Sequence, residues 1–510
     1  MNTPGLRLAE VLGALSLATD LANGQPAEHG LRIAILASRL AAGESHALRQ
    51  DAFWTGLLRY LGCNAFAVEE SRYAAGNDIG LRATFVKTDM GRPAELVSAV
   101  LREVGKGAPP LARARGIATF FSNPAAPLAH ANAQCDAAVH CGRKLGMGEG
   151  VLGALVQVDE RYDGRGLPAG IAGGALAPAI RYVETARVAV VFFAIGGIAA
   201  ALAETKRRAG GHLDPAVVQR FQDDAAALCR GLDATSVWDE FMASEPGLWA
   251  LDEDALDPLF EAFALLADLK SGFFTGHSPG VAQLARAAAQ GQGRSAGDVG
   301  LVGRAALLHD IGRVAVPTGL WDKPGALTPS EWERVRLHSY YTDRVLRQRP
   351  ALARYADIAG RAHERLDGSG YHRGERVSPT LARLLAAADA YHASLEPRAH
   401  RPALVPREAR DSLATQAREG RLCREAVDAV LAAAGHEATA GSQRPQVLTG
   451  RELEVLRLLV LGGSNKEIAR QLGVSPRTVQ HHTIHIYGKT GVKSRAGVAL
   501  WAVQEGVLKP

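Results

Sequence analysis

Residues 362–374 read AHERLDGSGYHRG, a run of histidines, acids, arginines and glycines with little apolar content. Asp367-Gly368 followed by Ser369-Gly370 is turn chemistry, because glycine accepts backbone angles that other residues avoid. Such a run either holds a metal and cleaves something or is the remnant of a site that once did. An altered version stands earlier in the chain: VDERYDGRGLPAG, residues 158–170. Both share x-x-E-R-x-D-G-x-G, then a loop, then an apolar helical run led by Ala and Arg. Upstream, AEHGLRIAILASRLA (27–41) pairs with TGHSPGVAQLARAAA (275–289), and LLRYLGCNAF (57–66) pairs with LLHDIGRVAV (307–316). Correspondences in one order indicate an internal repeat. The chain therefore holds two copies of a helical module, at 6–230 and 258–435.

A chain of 510 residues suits about three domains. It is 47% hydrophobic and 22% charged, ordinary for a globular protein, and only 6% aromatic. Alanine and leucine dominate, which favours helix, so the fold class expected is all-α. Cys63, Cys135, Cys141, Cys229 and Cys423 form no CxxC pair. This argues against a disulfide framework or a thiolate zinc site and suits a reducing cytoplasm. The N-terminus lacks the pattern of a signal peptide. The most apolar stretch, VAVVFFAIGGIAAALA (188–203), is shorter than the ~20 residues a bilayer needs and reads as a buried core helix, with no membrane partner.

Net charge is +5. Residues 449–510 carry nine Lys/Arg and four Asp/Glu, a net of +5, so this last segment accounts for the whole excess and points to nucleic acid. It follows AAAGHEATAGSQRPQV (432–447), a stretch without apolar periodicity that places a linker at 436–447 and a last domain at 448–510. Thr449 with Glu452, and Ser464 with Glu467, are capping boxes. Ser475 followed by Pro476 is a third helix start. Two short helices around the Gly-containing turn 472–474 make a helix-turn-helix.

In the second copy, His309-Asp310 follows the apolar run VGRAALL. An imidazole and a neighbouring carboxylate can converge on one ion, and the second carboxylate oxygen can bridge to another. His277, His338, His363 and Asp389 are further candidates. Nitrogen and oxygen donors without thiolate suit Mn, Fe, Zn or Ni. A single His or Asp in such a place is more often structural; the ordered set carries the argument.

The HD pair, HERLDGSGY and ARLLAAADAY (382–391) resemble the HD-GYP family, helical metal-dependent phosphohydrolases known for cyclic-di-GMP phosphodiesterase activity. The resemblance covers most of 258–435. It implies metal ligation by His277, His309, Asp310, His338, His363 and Asp389, with Asp310 and Arg313 as catalytic residues. It implies that Arg313, Arg398 and Arg401 contact substrate phosphate. The sequence also departs from the pattern. Ala362 replaces the first of two adjacent histidines, His372 replaces the proline of GYP, and Arg313 replaces the lysine after HDIG. The expectation is a divalent metal such as Mn or Fe, one ion rather than two. If the site turns over, hydrolysis would be metal-assisted, with Arg313 stabilising the developing phosphorane charge. Metal binding that only holds helices together, or that serves sensing, is the alternative.

At the matching places the first copy has His29, Arg59, Tyr60, Gln134, Asp159 and Arg187. Arginines where ligands belong repel a divalent cation, so this copy is a non-catalytic relative; an anion-binding regulatory pocket or a dimer face stays open. The last domain resembles the LuxR-type helix-turn-helix through SNKEIA, VSPRTVQHH and KTGVKSRAG, a four-helix unit. Arg477, Thr478, Gln480, His481 and Thr483 are expected on its reading helix, 476–488. Lys466, Lys489, Lys493 and Arg495 are expected on phosphates of double-stranded DNA. Family likeness implies a homodimer. The favoured reading is a cytoplasmic transcriptional regulator whose HD-GYP-like module binds metal or senses a ligand. The alternative is a metal-dependent cyclic-di-GMP-type phosphodiesterase, acting on a cyclic dinucleotide or another phosphoester and coupled to a DNA-binding domain.

Overall fold

The computed structural model describes residues 6–376, 378–435, 448–504 and 507; the linker expected at 436–447 lies outside them. The architecture is all-α. Among the described residues the one sheet is a pair of two-residue strands, Leu6–Arg7 antiparallel to Ala250–Leu251. The chain divides into two compact units, Met1–Ala255 and Leu256–Pro510.

The two units repeat one local design. Asp20 accepts the backbone N–H groups of His29 and Gly30, both at 3.0 Å. Asp268 likewise accepts that of Ser278 at 2.9 Å. Each carboxylate thereby fixes the start of the following helix, His29–Leu40 or His277–Gly291. Ser45 and Ser295 then cap the helices His46–Leu58 and Ala296–Leu308, supplying an acceptor for N–H groups that have no intrahelical partner. After each comes a short 3₁₀ turn, Cys63–Phe66 or Ile311–Ala315. It packs so closely on a later helix that a Cβ at Gly62 would lie 2.2 Å from the Gln134 carbonyl oxygen. A Cβ at Gly312 would lie 2.0 Å from that of His338. The two acidic loops share the left-handed glycine of the turn, Gly164 at φ +73° and Gly368 at φ +82°.

The first unit extends past residue 230, where the sequence reading closes it. Trp238–Ser244 is a helix whose Phe241 ring stacks on Phe53 at 5.1 Å, and Val237 N–H donates to buried Glu28 at 2.8 Å. The acidic composition of 231–255 hides these apolar anchors. The apolar stretch 188–203 belongs to a longer helix, Pro178–Arg208, with non-helical Gly196 and Gly197 inside it. By length and composition this helix is long enough to cross a membrane. Its first half buries Glu184 and Arg187 in the unit's interior. Ala194–Gly196 are exposed while Ala201, Thr205 and Arg208 beyond them are buried, so a wholly buried helix is not what forms.

Candidate metal centre and nucleic-acid interface

Five segments of the second unit bring the six expected ligands together. His277 opens its helix; His309 and Asp310 end Ala296–Leu308; His338 sits on Pro329–Leu346; His363 lies in the acidic loop; Asp389 sits on Thr380–Ser394. All six are buried. His277 Nε2 lies 3.3 Å from both Asp310 Oδ2 and Asp389 Oδ1, and His309 Nε2 lies 2.9 Å from Asp310 Oδ2. On the other side of the same carboxylate, Asp310 Oδ1 is 3.2 Å from His338 Nε2 and 3.0 Å from His363 Nε2.

The donors therefore form two groups that share Asp310: His277, His309, Asp310 and Asp389, and Asp310, His338 and His363. The sequence reading favoured one ion because Ala362 removes a donor. The geometry retains three donors at the second position.

Three of the histidines are held in the tautomer that ligation requires. His309 Nδ1 lies 2.7 Å from the Ala306 carbonyl and His338 Nδ1 lies 2.6 Å from that of Val335. A carbonyl only accepts, so Nδ1 carries a proton, and Nε2 is the atom that can bind a metal once its own proton leaves. His277 Nδ1 meets Glu396 Oε2 at 2.8 Å. His309 Nε2, Asp310 Oδ2 and His338 Nε2 are buried and meet their charged neighbours without good hydrogen-bond geometry, a costly arrangement unless something else satisfies them. This donor set fits a divalent cation.

Charge follows the same geometry. Burial alone would lower the His309 pKa, but Asp310 and Asp389 outweigh it and lift it to about 9. His338, where burial dominates, falls to about 4. Burial opposes ionisation of Asp310, yet Arg313 and His309 hold it well below the usual carboxylate range.

Arg313 touches Asp310 through Nη2, and its guanidinium lies 4.1 Å from the Phe274 ring and 5.8 Å from Trp321. Its Nε and Nη1 are buried with no hydrogen-bond partner. Arg398 and Arg401, expected on phosphate, are instead spent on the protein. Arg398 donates to the Phe273 carbonyl and to Glu396, both at 2.7 Å. Arg401 donates to the carbonyls of Ala393 at 2.6 Å and Glu396 at 3.1 Å. Glu396 escaped the sequence reading; its seven-residue distance from Asp389, placing it just past the same helix, was the available signal.

The matching place in the first unit is filled by an ion-pair network. Glu184 takes Arg59 at 2.6 Å, Arg187 at 2.9 Å and His212 at 3.2 Å. His29 is pushed down to about 3 by burial and by Arg187, Arg32 and Arg59. Glu184 pairs with both arginines on which an anion pocket would depend and cancels one of their two charges.

In the last domain, Gly450–Val460, Asn465–Leu472, Pro476–Thr490 and Arg495–Gln504 enclose Val455, Leu456, Ile468, Val479 and Ile486. Both capping boxes form, and Ser475 accepts from Thr478 N–H. Arg477, Thr478, Gln480 and His481 are exposed on the third helix, and Lys466 and Lys493 are exposed beside it. Thr483 is half-buried and bonds back to the Val479 carbonyl. Two expected phosphate contacts serve the fold: Lys489 pairs with Glu452 at 2.7 Å, and Arg495 donates to the Gly463 carbonyl at 2.9 Å.

Comparison with known proteins follows the same division. Residues 261–425 match the HD domain family, and 446–502 match the bacterial regulatory proteins of the luxR family. The chain is similar to 3'3'-cGAMP-specific phosphodiesterase 3 of Vibrio cholerae, 29% identical over 413 residues, covering 78% of this chain and 88% of that protein. It is 35% identical over 153 residues to a cyclic di-GMP phosphodiesterase of Thermotoga maritima, spanning 29% of this chain and 42% of the relative. A crystal structure of a cyclic GMP-AMP specific phosphodiesterase from V. cholerae superposes with a TM-score of 0.58 at 25% identity, over 85% of this chain and 99% of that one. The chain thus joins an HD domain of HD-GYP-like pattern to a C-terminal domain of the luxR family of bacterial regulatory proteins.

Proposed function

We propose that this protein is a metal-dependent cyclic-dinucleotide phosphodiesterase whose HD domain is coupled to a DNA-binding domain. One observation carries the reading: six buried donors from five segments converge, with Asp310 offering one oxygen to each of two groups. The phosphodiesterase relatives support the substrate class. His277, His309, Asp310 and Asp389 would hold one divalent ion, and Asp310, His338 and His363 a second, more weakly. When bound, such ions supply Lewis acidity and a nucleophilic hydroxide near neutral pH. Arg313, fixed by Asp310 and two aromatic rings, has Nε and Nη1 left to donate to a phosphoryl oxygen, where charge develops in the transition state. The luxR-type match supports a cytoplasmic setting with double-stranded DNA as partner, and family likeness supports a dimer.

The experiment is metal analysis of the purified chain together with hydrolysis of cyclic purine dinucleotides in Mn or Fe. Wild type should release the linear dinucleotide, and the doubly substituted His309→Ala, Asp310→Ala protein should lose both metal and hydrolysis. No hydrolysis by metal-loaded wild type overturns the enzyme reading. A second reading, a regulator that senses without cleaving, is favoured by Ala362 and His372, which depart from the family pattern. Intact metal-dependent control of DNA binding without turnover would establish it.

A further inference from the structure

Helix Pro329–Leu346 buries His338 on one face and leaves large aromatic surface on another. Trp332 is 42% exposed and Tyr340 is 40% exposed. Trp332, Arg336 and Tyr340 follow at intervals of four, so they share one stripe of the helix. That stripe faces the loop after His363. The Tyr371 ring stacks on His363 at 4.9 Å with 16° between the planes, and Trp332 meets the outer side of Tyr371 edge-on at 5.8 Å. Arg336 lies 5.9 Å from the Tyr371 ring and donates to the carbonyls of Gly370 and Tyr371 at 2.5 and 2.6 Å. His372, standing where the family signature has proline, continues the rim at 6.0 Å from Tyr340. A ladder of rings therefore leads from a buried candidate ligand, His363, through Tyr371 to an indole open to solvent.

We propose that Trp332, backed by Tyr371 and steadied by Arg336, is a nucleobase-stacking subsite for a purine of the cyclic dinucleotide whose phosphate sits at the candidate metal centre. The inference rests on the phosphodiesterase reading of that centre. An exposed indole held by a guanidinium-braced tyrosine presents an apolar face at low conformational cost. Every base offers a π-face to it. Arg336 adds a cation beside the stack without competing for the metal ligands.

The test uses the full chain loaded with Mn and measures equilibrium binding of a hydrolysis-resistant phosphorothioate analogue of a cyclic purine dinucleotide by calorimetry, alongside hydrolysis of the parent dinucleotide. Trp332→Ala should raise Kd about 5- to 150-fold, the range for loss of one base stack. Metal content and unfolding midpoint should not move, and Trp332→Phe should recover most of the affinity. An unchanged Kd in Trp332→Ala overturns the subsite even if wild type hydrolyses the dinucleotide. Binding without hydrolysis by wild type sinks the enzyme reading, while the Kd shift still decides the subsite. A wild type that does not bind the dinucleotide overturns both.

Discussion

Glu396 sets the behaviour of His277 without belonging to the six expected ligands. Its Oε2 holds His277 Nδ1 at 2.8 Å, and Arg398 braces the same oxygen at 2.7 Å. Glu396→Gln keeps an acceptor but removes the negative charge that makes the imidazole a better donor, so divalent-metal affinity should fall about tenfold or more, read by calorimetric titration. The six candidate positions could be picked out in sequence because each sits in a motif of recognisable spacing, and the fold brings them together. Glu396 could not, since it acts through a ligand and has no motif of its own. The intramolecular partners of Arg398, Arg401 and Lys489 were hidden for a related reason: residue type shows that a cation is present, while the carbonyls and carboxylates it meets come from folding. Lys489 yields a pH prediction. Burial alone would raise the pKa of Glu452, but Lys489 and the N–H of Thr449 hold it down to about 2 from the usual 4.5. A folded-state pKa below the unfolded one stabilises above pH 4.5, and that stability is lost as pH falls from 4.5 towards 2. The side chain of Lys489 is 40% exposed, so solvent screening limits the effect to about 1–2 kcal/mol. Urea midpoints of wild type and Glu452→Gln should therefore converge on acidification.

The 3₁₀ turn after the HD pair is the element that fixes how far His338 stands from Asp310. Gly312 N–H donates to Thr342 Oγ1 at 3.0 Å, and Thr342 Oγ1 donates to the His309 carbonyl at 3.0 Å. The turn thus abuts helix Pro329–Leu346 backbone to backbone. Gly312→Ala would place a methyl 2.0 Å from the His338 carbonyl oxygen, and rigid backbone cannot yield as a flexible side chain would. We expect a destabilisation of about 1–3 kcal/mol, read as a lower unfolding midpoint, together with reduced metal content because His338 must move. Gly62→Ala in the first unit should cost similar stability, since its methyl would lie 2.2 Å from the Gln134 carbonyl oxygen. It should leave metal content unchanged, because the matching donors there are gone. At this scale the sequence was informative where local chemistry marks an element, as at the capping boxes of Thr449 and Ser464. It was weaker where tertiary pairing hides a boundary. Glu184 and Arg187 look like charges outside the apolar stretch 188–203, but they pair inside the protein and the helix runs through them.

Within the unit Leu256–Pro510 the DNA-binding domain rests on the segment that leads into the candidate metal centre. Leu269 packs against the apolar core of that domain, and Gly272 passes so close that a Cβ would lie 2.2 Å from the Val460 carbonyl oxygen and 2.7 Å from Leu461. The next residues reach the site directly. The Phe273 carbonyl accepts from Arg398, the Phe274 ring lies under Arg313, and His277 follows at the start of its helix. Any movement of Arg313 on engaging a phosphoester therefore bears, through Phe274, on the seat of the DNA-binding domain. The exposed residues Arg477, Gln480 and His481 lie elsewhere in that domain, so the seat can change without altering the reading face. Contact alone is not coupling, which requires two arrangements that both sites bias. The expected outcome is that metal plus cyclic dinucleotide changes the affinity of wild type for a duplex recovered by selection on the protein, by at least about fivefold. The measurement is fluorescence anisotropy across a salt series, because phosphate contacts make affinity fall with salt whatever the coupling. Gly272→Val should abolish the ligand-dependent change while keeping DNA binding and its salt slope, since the substitution touches neither the candidate ligands nor the reading helix. A ligand response that survives in Gly272→Val would show that the signal travels by another route. No response in wild type would show that the two activities merely share a chain.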